Sequence, residues 1–218
     1  MGFSLRLLLL LALAGAVRAD PDLDRAVQLY GARQYPEARA ALEKIAAARP
    51  QDAAACYYLG MTLDEGDDAA RDAAVGWLEK AVALAPTNST YLGEYGGTCL
   101  EMADKHHSFT FATRGRNAME RAIALDPNNL DARQGLMQFY ARAPWPLGSS
   151  SRARTEADEI LRRDPARGPR AFLLLGRALE KAGNRNGARE AYVIALQLDP
   201  ASAEAKGGVA RLPAPLSP

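Results

Sequence analysis

The sequence contains few of the side chains from which enzymes build catalytic and metal centres. Its 218 residues include two histidines, the adjacent His106 and His107, and two cysteines, Cys56 and Cys99. It has no His-Glu-x-x-His pair, no cysteine pairs at zinc spacing, no glycine-rich phosphate loop and no nucleophile elbow. These absences predict a protein that is not an enzyme and that has no catalytic residues, no cofactor and no metal.

An excess of charge of either sign is also missing. Lysine and arginine together number 27 against 26 acidic residues, which gives a net charge of +1. Nucleic-acid binding needs a basic face to neutralise phosphates. The charge balance therefore argues against a nucleic-acid partner.

Long hydrophobic runs are absent except at the start of the chain. Arg6 precedes an apolar run over residues 7–16, and Val17-Arg18-Ala19 follows it. This order is typical of a secretory signal peptide over residues 1–19, cleaved after Ala19. The run is too short to span a bilayer, which takes about 20 residues, so we expect no transmembrane segment in the mature chain. The alternative is an uncleaved membrane anchor.

The two cysteines are expected to be buried and free. An exported protein permits a disulfide. Cys56 is predicted early in one helix and Cys99 late in the neighbouring, nearly parallel helix, so the two lie about 10 Å apart along the helix axis at 1.5 Å per residue. That distance exceeds the roughly 7 Å that a disulfide allows between Cα atoms.

Proline, in contrast, recurs at nearly regular intervals along the chain. Five amphipathic stretches close on Pro50, Pro86, Pro127, Pro165 and Pro200, at spacings of 36, 41, 38 and 35 residues. Apolar and small residues recur at helical spacing before each proline, and a second such stretch lies upstream. Proline ends a helix because it lacks a donor and biases the preceding residue away from helix. The recurrence predicts a stack of helical hairpins.

The clearest repeat carries a known family pattern. Its pattern positions are Phe172, Leu175, Gly176, Leu179, Ala188, Tyr192, Ala195 and Pro200. This series resembles the tetratricopeptide repeat (TPR). The resemblance implies an all-α, right-handed superhelix of about five helix-turn-helix repeats with a C-terminal capping helix. We expect Gly60, Gly96 and Gly176 to let paired helices approach closely, opposite Ala74, Gly115 and Ala188.

The repeat pattern gives the domain organisation. A single solenoid domain is expected over residues 20–211, followed by a disordered proline-rich tail over residues 212–218. The repeats are placed at 20–52, 53–88, 89–129, 130–166 and 167–201, with the cap at 202–211. The fourth repeat contains Leu136-Met-Gln-Phe139-Tyr140-x-x-Ala143-Pro144, then a Gly/Ser turn, Ala157 and Asp164-Pro165. This series resembles a group of exported bacterial repeat proteins of undefined role.

The unequal spacings locate insertions in the hairpin turns of repeats three and four. The first reads Asp104-Lys-His-His-Ser-Phe109-Thr-Phe111, and the second contains Trp145 between two prolines. Aromatic side chains in exposed turns suit partner recognition. Phe109, Phe111 and Trp145 are therefore candidate partner-binding residues; in the alternative, the rings fold back over the hairpin ends.

The concave groove is the second candidate surface. First-helix positions expected to face it run from acidic and aromatic to basic: Tyr57, Tyr58, Met61, Asp64, Glu94, Gln134, Gln138, Arg142, Arg177 and Lys181. The resemblance implies a peptide or helix in this groove. The carboxylate clamp of some eukaryotic members is absent, because Leu23, Val27, Tyr58, Thr90 and Glu94 occupy its positions. The alternative is a solvated polar face.

Together these patterns predict a non-enzymatic scaffold of the bacterial cell envelope, periplasmic or secreted, that binds a protein or peptide through the groove, the inserted turns, or both. The alternative is an envelope enzyme, or a subunit that binds a metal or small ligand, built around His106 and His107 with carboxylates such as Glu101 or Asp104. A third hypothesis is self-assembly through an exposed end of the stack.

Overall fold

The fold is a series of helical hairpins, seen in a computed structural model that describes residues 20–212. Within this range there are eleven helices and no β strand. In chain order they are α1 (Pro21–Gly31), α2 (Tyr35–Ala48), α3 (Ala53–Asp64), α4 (Asp68–Leu84), α5 (Ser89–His106), α6 (Phe109–Leu125), α7 (Leu130–Arg142), α8 (Ser150–Arg163), α9 (Gly168–Lys181), α10 (Arg185–Leu198) and α11 (Ala203–Arg211). The predicted signal peptide, residues 1–19, lies outside the described residues. No helix of residues 20–212 has both the length and the hydropathy of a membrane span.

Helix starts follow from short polar side chains. Nine of the eleven helices begin after an Asp, Asn or Ser whose side chain accepts a hydrogen bond from a backbone N–H of the first turn. Each such cap stabilises its helix by about 1 kcal/mol. The remaining two, α2 and α9, lack a side-chain cap and instead have proline in the first turn. Proline suits that position because its missing N–H would be unpaired there anyway.

The structure confirms that each recurring proline closes the second helix of a repeat. Each closing proline directly follows the C-terminal cap of the second helix in its repeat: Arg49, Ala85, Asp126, Asp164 and Asp199. All five caps have φ between −131° and −139° and a positive ψ, so all have left the helical region, which a following proline disfavours.

Helix contacts define two layers. The odd-numbered helices from α1 to α11 contact one another in series, whereas each even-numbered helix contacts the odd-numbered helices on either side. The odd helices therefore form the inner layer, and their exposed sides line the concave groove. This arrangement confirms the predicted all-α solenoid.

The core confirms the predicted register. All the apolar pattern positions of the fifth repeat, from Phe172 to Ala195, are buried. The same holds for the matching positions of the other repeats, for example Leu42, Leu78, Met119 and Ile160.

The glycines make room for large side chains as well as small ones. A Cβ on Gly176 would lie 2.7 Å from the Tyr192 ring, and one on Gly60 would lie 2.7 Å from Leu78. Only Gly96 meets its expected small partner, because a Cβ there would lie 3.0 Å from the Gly115 carbonyl oxygen. At Gly60 and Gly176 the nearest atoms belong instead to large side chains, Leu78 and Tyr192, one helical turn after the expected Ala74 and Ala188.

The extra residues of repeat three were predicted to lie in the hairpin turn, but most of them are helical. α5 runs to His106 and α6 begins at Phe109, so only His107 and Ser108 connect them. His107 closes α5 in the left-handed conformation (φ 49°) and Ser108 caps α6. In repeat four the extra residues do form a loop, between α7 and α8. At the C-terminus, Leu212 was assigned to the tail but is buried against the core, and residues 213–218 lie outside the described residues.

Candidate functional site

The central part of the concave groove is a hollow of about 620 Å³ between α5 and α7. Three of the predicted groove residues line it: Glu94, Gln134 and Gln138. Thr90 and Glu101 complete the α5 side, one helical turn before and two turns after Glu94. The structure thus brings together the middle of the predicted groove.

Carboxylates that lack a cation partner lie in this hollow, at Glu94 and Glu101, and near it, at Asp64. Asp64, Glu94 and Glu101 form no ion pair within residues 20–212, whereas Asp131 and Asp104 pair with Arg167 and Arg142. One carboxylate oxygen of Asp64, Oδ1, is buried without a hydrogen-bond donor. We call Asp64, Glu94 and Glu101 the acidic groove cluster.

Burial and mutual repulsion disfavour the ionised forms of two of these carboxyls, Asp64 and Glu94. Desolvation, and then the charge of Glu101, raise the pKa of Asp64 to about 6. Burial likewise raises the pKa of Glu94, and Asp131, Asp64 and Glu101 raise it further. A cation that reached these groups would relieve both effects.

Tyrosines extend this surface toward the N-terminal end of the groove. Tyr57 stacks on Tyr91 with ring centroids 4.3 Å apart, and Tyr58 meets Tyr57 edge-on at 5.1 Å. Tyr30 contacts Tyr58 at 5.9 Å. Burial, and then the negative charge of Glu94, raise the pKa of Tyr57, so the tyrosines adjoin the acidic groove cluster. Met61, the other predicted residue of this part, packs partly against the core.

The predicted basic end of the groove is occupied by intramolecular contacts. Arg177 pairs with Glu204 at the start of α11. Arg142 pairs with Asp104 at 3.3 Å and lies with Lys181 in a different cavity. The side chains left free in the groove are therefore acidic and aromatic, because the arginines are used to hold neighbouring repeats together.

The edge of the stack holds the second group of predicted residues. Phe109 is 63% exposed and lines a cavity of about 580 Å³ at the hairpin ends, and Trp145 is 89% exposed. Phe111 instead packs against the core. The ring of Phe111 therefore folds back over the hairpin end, whereas those of Phe109 and Trp145 stay exposed.

The two histidines are engaged separately. His106 Nε2 lies 3.2 Å from Asp72 Oδ1, to which Lys105 also donates, whereas His107 lines the edge cavity. Across residues 20–212 no three His, Cys, Asp or Glu side chains are grouped as metal ligands. His106 and His107 therefore do not form a shared metal site with neighbouring carboxylates in this part of the chain.

Both cysteines are buried and free, as predicted. Burial raises the pKa of the Cys99 thiol to about 11, so its reactive thiolate form is scarce near neutral pH.

Sequence reasoning missed Tyr30 and Tyr91 and gave Glu101 no groove role. The spacing of Glu94 and Glu101 is a signal that would have found the latter, since residues seven apart share a helix face. The clustering of tyrosines from α1, α3 and α5 depends on how the repeats stack, which the spacing of one repeat does not show.

Comparison with known proteins agrees with this geometry. Residues 169–202 match the family model described as tetratricopeptide repeat. The search of curated proteins gives no match.

Several solved structures have the same architecture. The MamA protein superposes with a TM-score of 0.64 at 22% identity, covering 91% of this chain and 97% of that one. YrrB, described as a TPR protein with an unusual peptide-binding site, gives 0.65 at 20% identity, covering 87% and 90%. TTC0263, a thermophilic TPR protein of Thermus thermophilus, gives 0.61 at 18% identity, covering 88% and 97%. Taken with the proline-closed hairpins and the buried register, these matches show that the chain has the fold of tetratricopeptide-repeat proteins and that residues 169–202 carry the family's sequence pattern.

Proposed function

We propose that this protein is a non-enzymatic adaptor of the bacterial cell envelope that binds a basic segment of a protein partner in its concave groove. The observation that carries the proposal is the acidic groove cluster, whose carboxylates form no ion pair within residues 20–212 and of which Glu94 lies near the Tyr57 ring. The partner class follows from charge: a lysine or arginine would neutralise groups that the fold leaves desolvated and mutually repelling.

The tyrosines fit the same ligand. Lysine and arginine have long apolar stems that pack on aromatic rings, and their charged ends are attracted to ring faces. In the groove, the Tyr57 and Tyr91 rings lie next to Glu94, so a stem and a charged end have adjacent places to bind. This arrangement favours a basic peptide over a simple metal ion.

The comparisons support a peptide ligand in general terms. One structural neighbour is described as having an unusual peptide-binding site. In this chain the inner layer of odd helices provides a continuous concave surface for such a ligand.

The envelope location is proposed from the sequence of residues 1–19. A basic residue, an apolar run and small residues before Asp20 support export. The partner would then be another protein of the envelope.

Photocrosslinking in the cells that make the protein tests the adaptor function. A photoreactive amino acid at Gln138, in the groove, is compared with one at Arg162, whose side chain is 61% exposed on α8. We expect a defined protein crosslinked from position 138 but not from position 162. The crosslink should weaken when Glu94→Gln is added. Recovery of no protein, or of the same proteins from both positions, would contradict the proposal.

A further inference from the structure

The cavity at the hairpin ends of repeats three to five is separate from the groove. It is lined by the last turns of α5, α7 and α9, by the start of α6 and by the loop after α7. Its apolar lining includes Leu100, Phe109, Ala112, Phe139, Ala143 and Leu147.

Unequal helix lengths create this cavity. α5, α7 and α9 each begin three residues after a closing proline, so their N-termini are level in the stack. α5 has 18 residues, however, against 13 in α7 and 14 in α9. At 1.5 Å per residue, the end of α5 therefore projects about 6–8 Å beyond its neighbours. The cavity lies beside this overhang.

An exposed aromatic side chain stands at its mouth. Phe109 begins α6 and is 63% exposed, whereas Phe111, two residues later, packs on the core. The cavity is therefore an apolar hollow with a large apolar side chain at its rim, a combination that typically marks an interaction site.

The charge at the rim is positive. Asp104 is neutralised by Arg142, at 3.3 Å. Lys181 also lines the cavity, is exposed, and forms no ion pair within residues 20–212. One cation is thus left without a counter-charge beside the apolar lining, opposite in sign to the acidic groove cluster.

From this geometry we infer that the edge cavity is a second docking site, which takes an apolar side chain flanked by carboxylates from a protein partner. The apolar side chain fills the hollow against Phe109 and Leu147, and a carboxylate pairs with Lys181. The site does not depend on the groove. When the groove and the edge cavity are both occupied, the protein links a basic partner segment to a second segment that is acidic and apolar.

Three matched peptides test this inference on the chain from residue 20 onward. Each is acetylated and amidated with the sequence SGXXLFXXGS, where X is Glu, Gln or Lys throughout. Backbone amide shifts are followed by NMR during titration. We expect the Glu peptide to shift the amides of Ala103, Ala112 and Leu147, and to bind about tenfold more tightly than the Gln peptide.

Variants separate the cavity from general charge effects. Phe109→Ala should weaken the Glu peptide about tenfold and Lys181→Gln about threefold. Leu125→Ala, an exposed apolar residue at the opposite end of α6, should leave its affinity unchanged. All three side chains are exposed, so the variants are expected to fold.

Several outcomes would overturn the inference. One is equal binding of the Glu and Lys peptides at the cavity, and another is an unchanged affinity in Phe109→Ala. A third is no response to the Glu peptide, while the same amides shift on dilution or on deletion of residues 213–218. That result would assign the cavity to a second copy or to the tail. None of these results bears on the groove, which is tested through Glu94.

Discussion

At the scale of single residues, the same physical argument explains packing and function. Buried side chains fill the space that small residues leave, as Tyr192 does against Gly176. Asp64 and Glu94 of the acidic groove cluster depart from this rule, because both carboxyls are partly desolvated and form no ion pair within residues 20–212. Such groups lower stability, and a binding site is a physical reason to keep them.

Gly96 and Gly76 form a matched pair for the packing argument. A Cβ on Gly96 would lie 2.6 Å from Met119 Cγ and 3.0 Å from the Gly115 carbonyl oxygen, whereas one on Gly76 meets nothing within 4 Å. We expect Gly96→Ala to lower the free energy of unfolding by about 1–3 kcal/mol. Gly76→Ala should raise it by about 0.5–1 kcal/mol, because alanine favours the helix. Urea denaturation measures both, and equal effects would contradict the close approach of α5 and α6.

Asp64→Asn is expected to stabilise the protein in a pH-dependent way. The Asp64 carboxyl ionises near pH 4 when unfolded and has a pKa of about 6 when folded, so its ionisation destabilises the native state progressively between these values. At pH 7 the variant should be more stable by about 1 kcal/mol, a figure reduced from the full shift because the side chain is partly exposed. At pH 4 the difference should disappear. Thermal unfolding at both pH values checks this, and a stability difference that is the same at both would be contrary to the account.

At the scale of helices, starts and ends were predictable and helix lengths were not. Caps and closing prolines are local signals: Asn88, Asn129 and Ser202, which cap α5, α7 and α11, each lie two residues after a closing proline. The C-terminal end of α5 was not predictable from the sequence. Its last residues project beyond α7 and α9 and therefore do not pack against those helices. Asp104, Lys105 and His106 therefore show no apolar periodicity, and an exposed helical turn looks like a polar loop.

Asn129 links two helix starts. Its Oδ1 accepts from the Ala132 N–H at 3.0 Å, while its Nδ2 donates to the Ser89 carbonyl oxygen and hydroxyl at 3.1 and 2.9 Å. We expect Asn129→Ala to cost about 2 kcal/mol, since it removes both the cap and the link. Asn129→Ser keeps a capping oxygen and should cost about 1 kcal/mol. Chemical denaturation gives both values; an equal loss in the two variants would show that the link to Ser89 contributes nothing.

At the scale of the whole molecule, the stack separates two surfaces of opposite charge. The groove's free side chains are acidic and aromatic, and the edge cavity has a lysine that forms no ion pair within residues 20–212. Two of the basic residues predicted along the groove, Arg142 and Arg177, form ion pairs between repeats, so their charges are neutralised within the chain. The repeat pattern placed Arg142 and Arg177 on exposed positions of the first helices of repeats four and five. Only the stacking of the repeats shows that both form ion pairs with acidic residues of neighbouring repeats.

If the predicted signal peptide is cleaved after Ala19, the mature chain begins at Asp20. Its side chain caps α1 through the Leu23 N–H and pairs with Arg49, so cleavage after Ala19 leaves these contacts in place. We expect the protein recovered from the periplasm or medium to have the mass of residues 20–218. Recovery of the full chain from the membrane fraction would support the uncleaved anchor instead.

The most direct test of the central claim is a calorimetric titration of the three peptides into the chain from residue 20 onward, with and without Glu94→Gln, with amide shifts followed by NMR to locate the binding. The account predicts that the Lys peptide binds the groove at pH 7, shifting the amides of Gln134 and Gln138, and that Glu94→Gln weakens it about tenfold. Its affinity should also fall as the pH drops through 6, because protonation removes the charge of Asp64. Equal affinity for the Lys and Gln peptides, unaffected by Glu94→Gln, would contradict the claim that the groove recognises a basic segment.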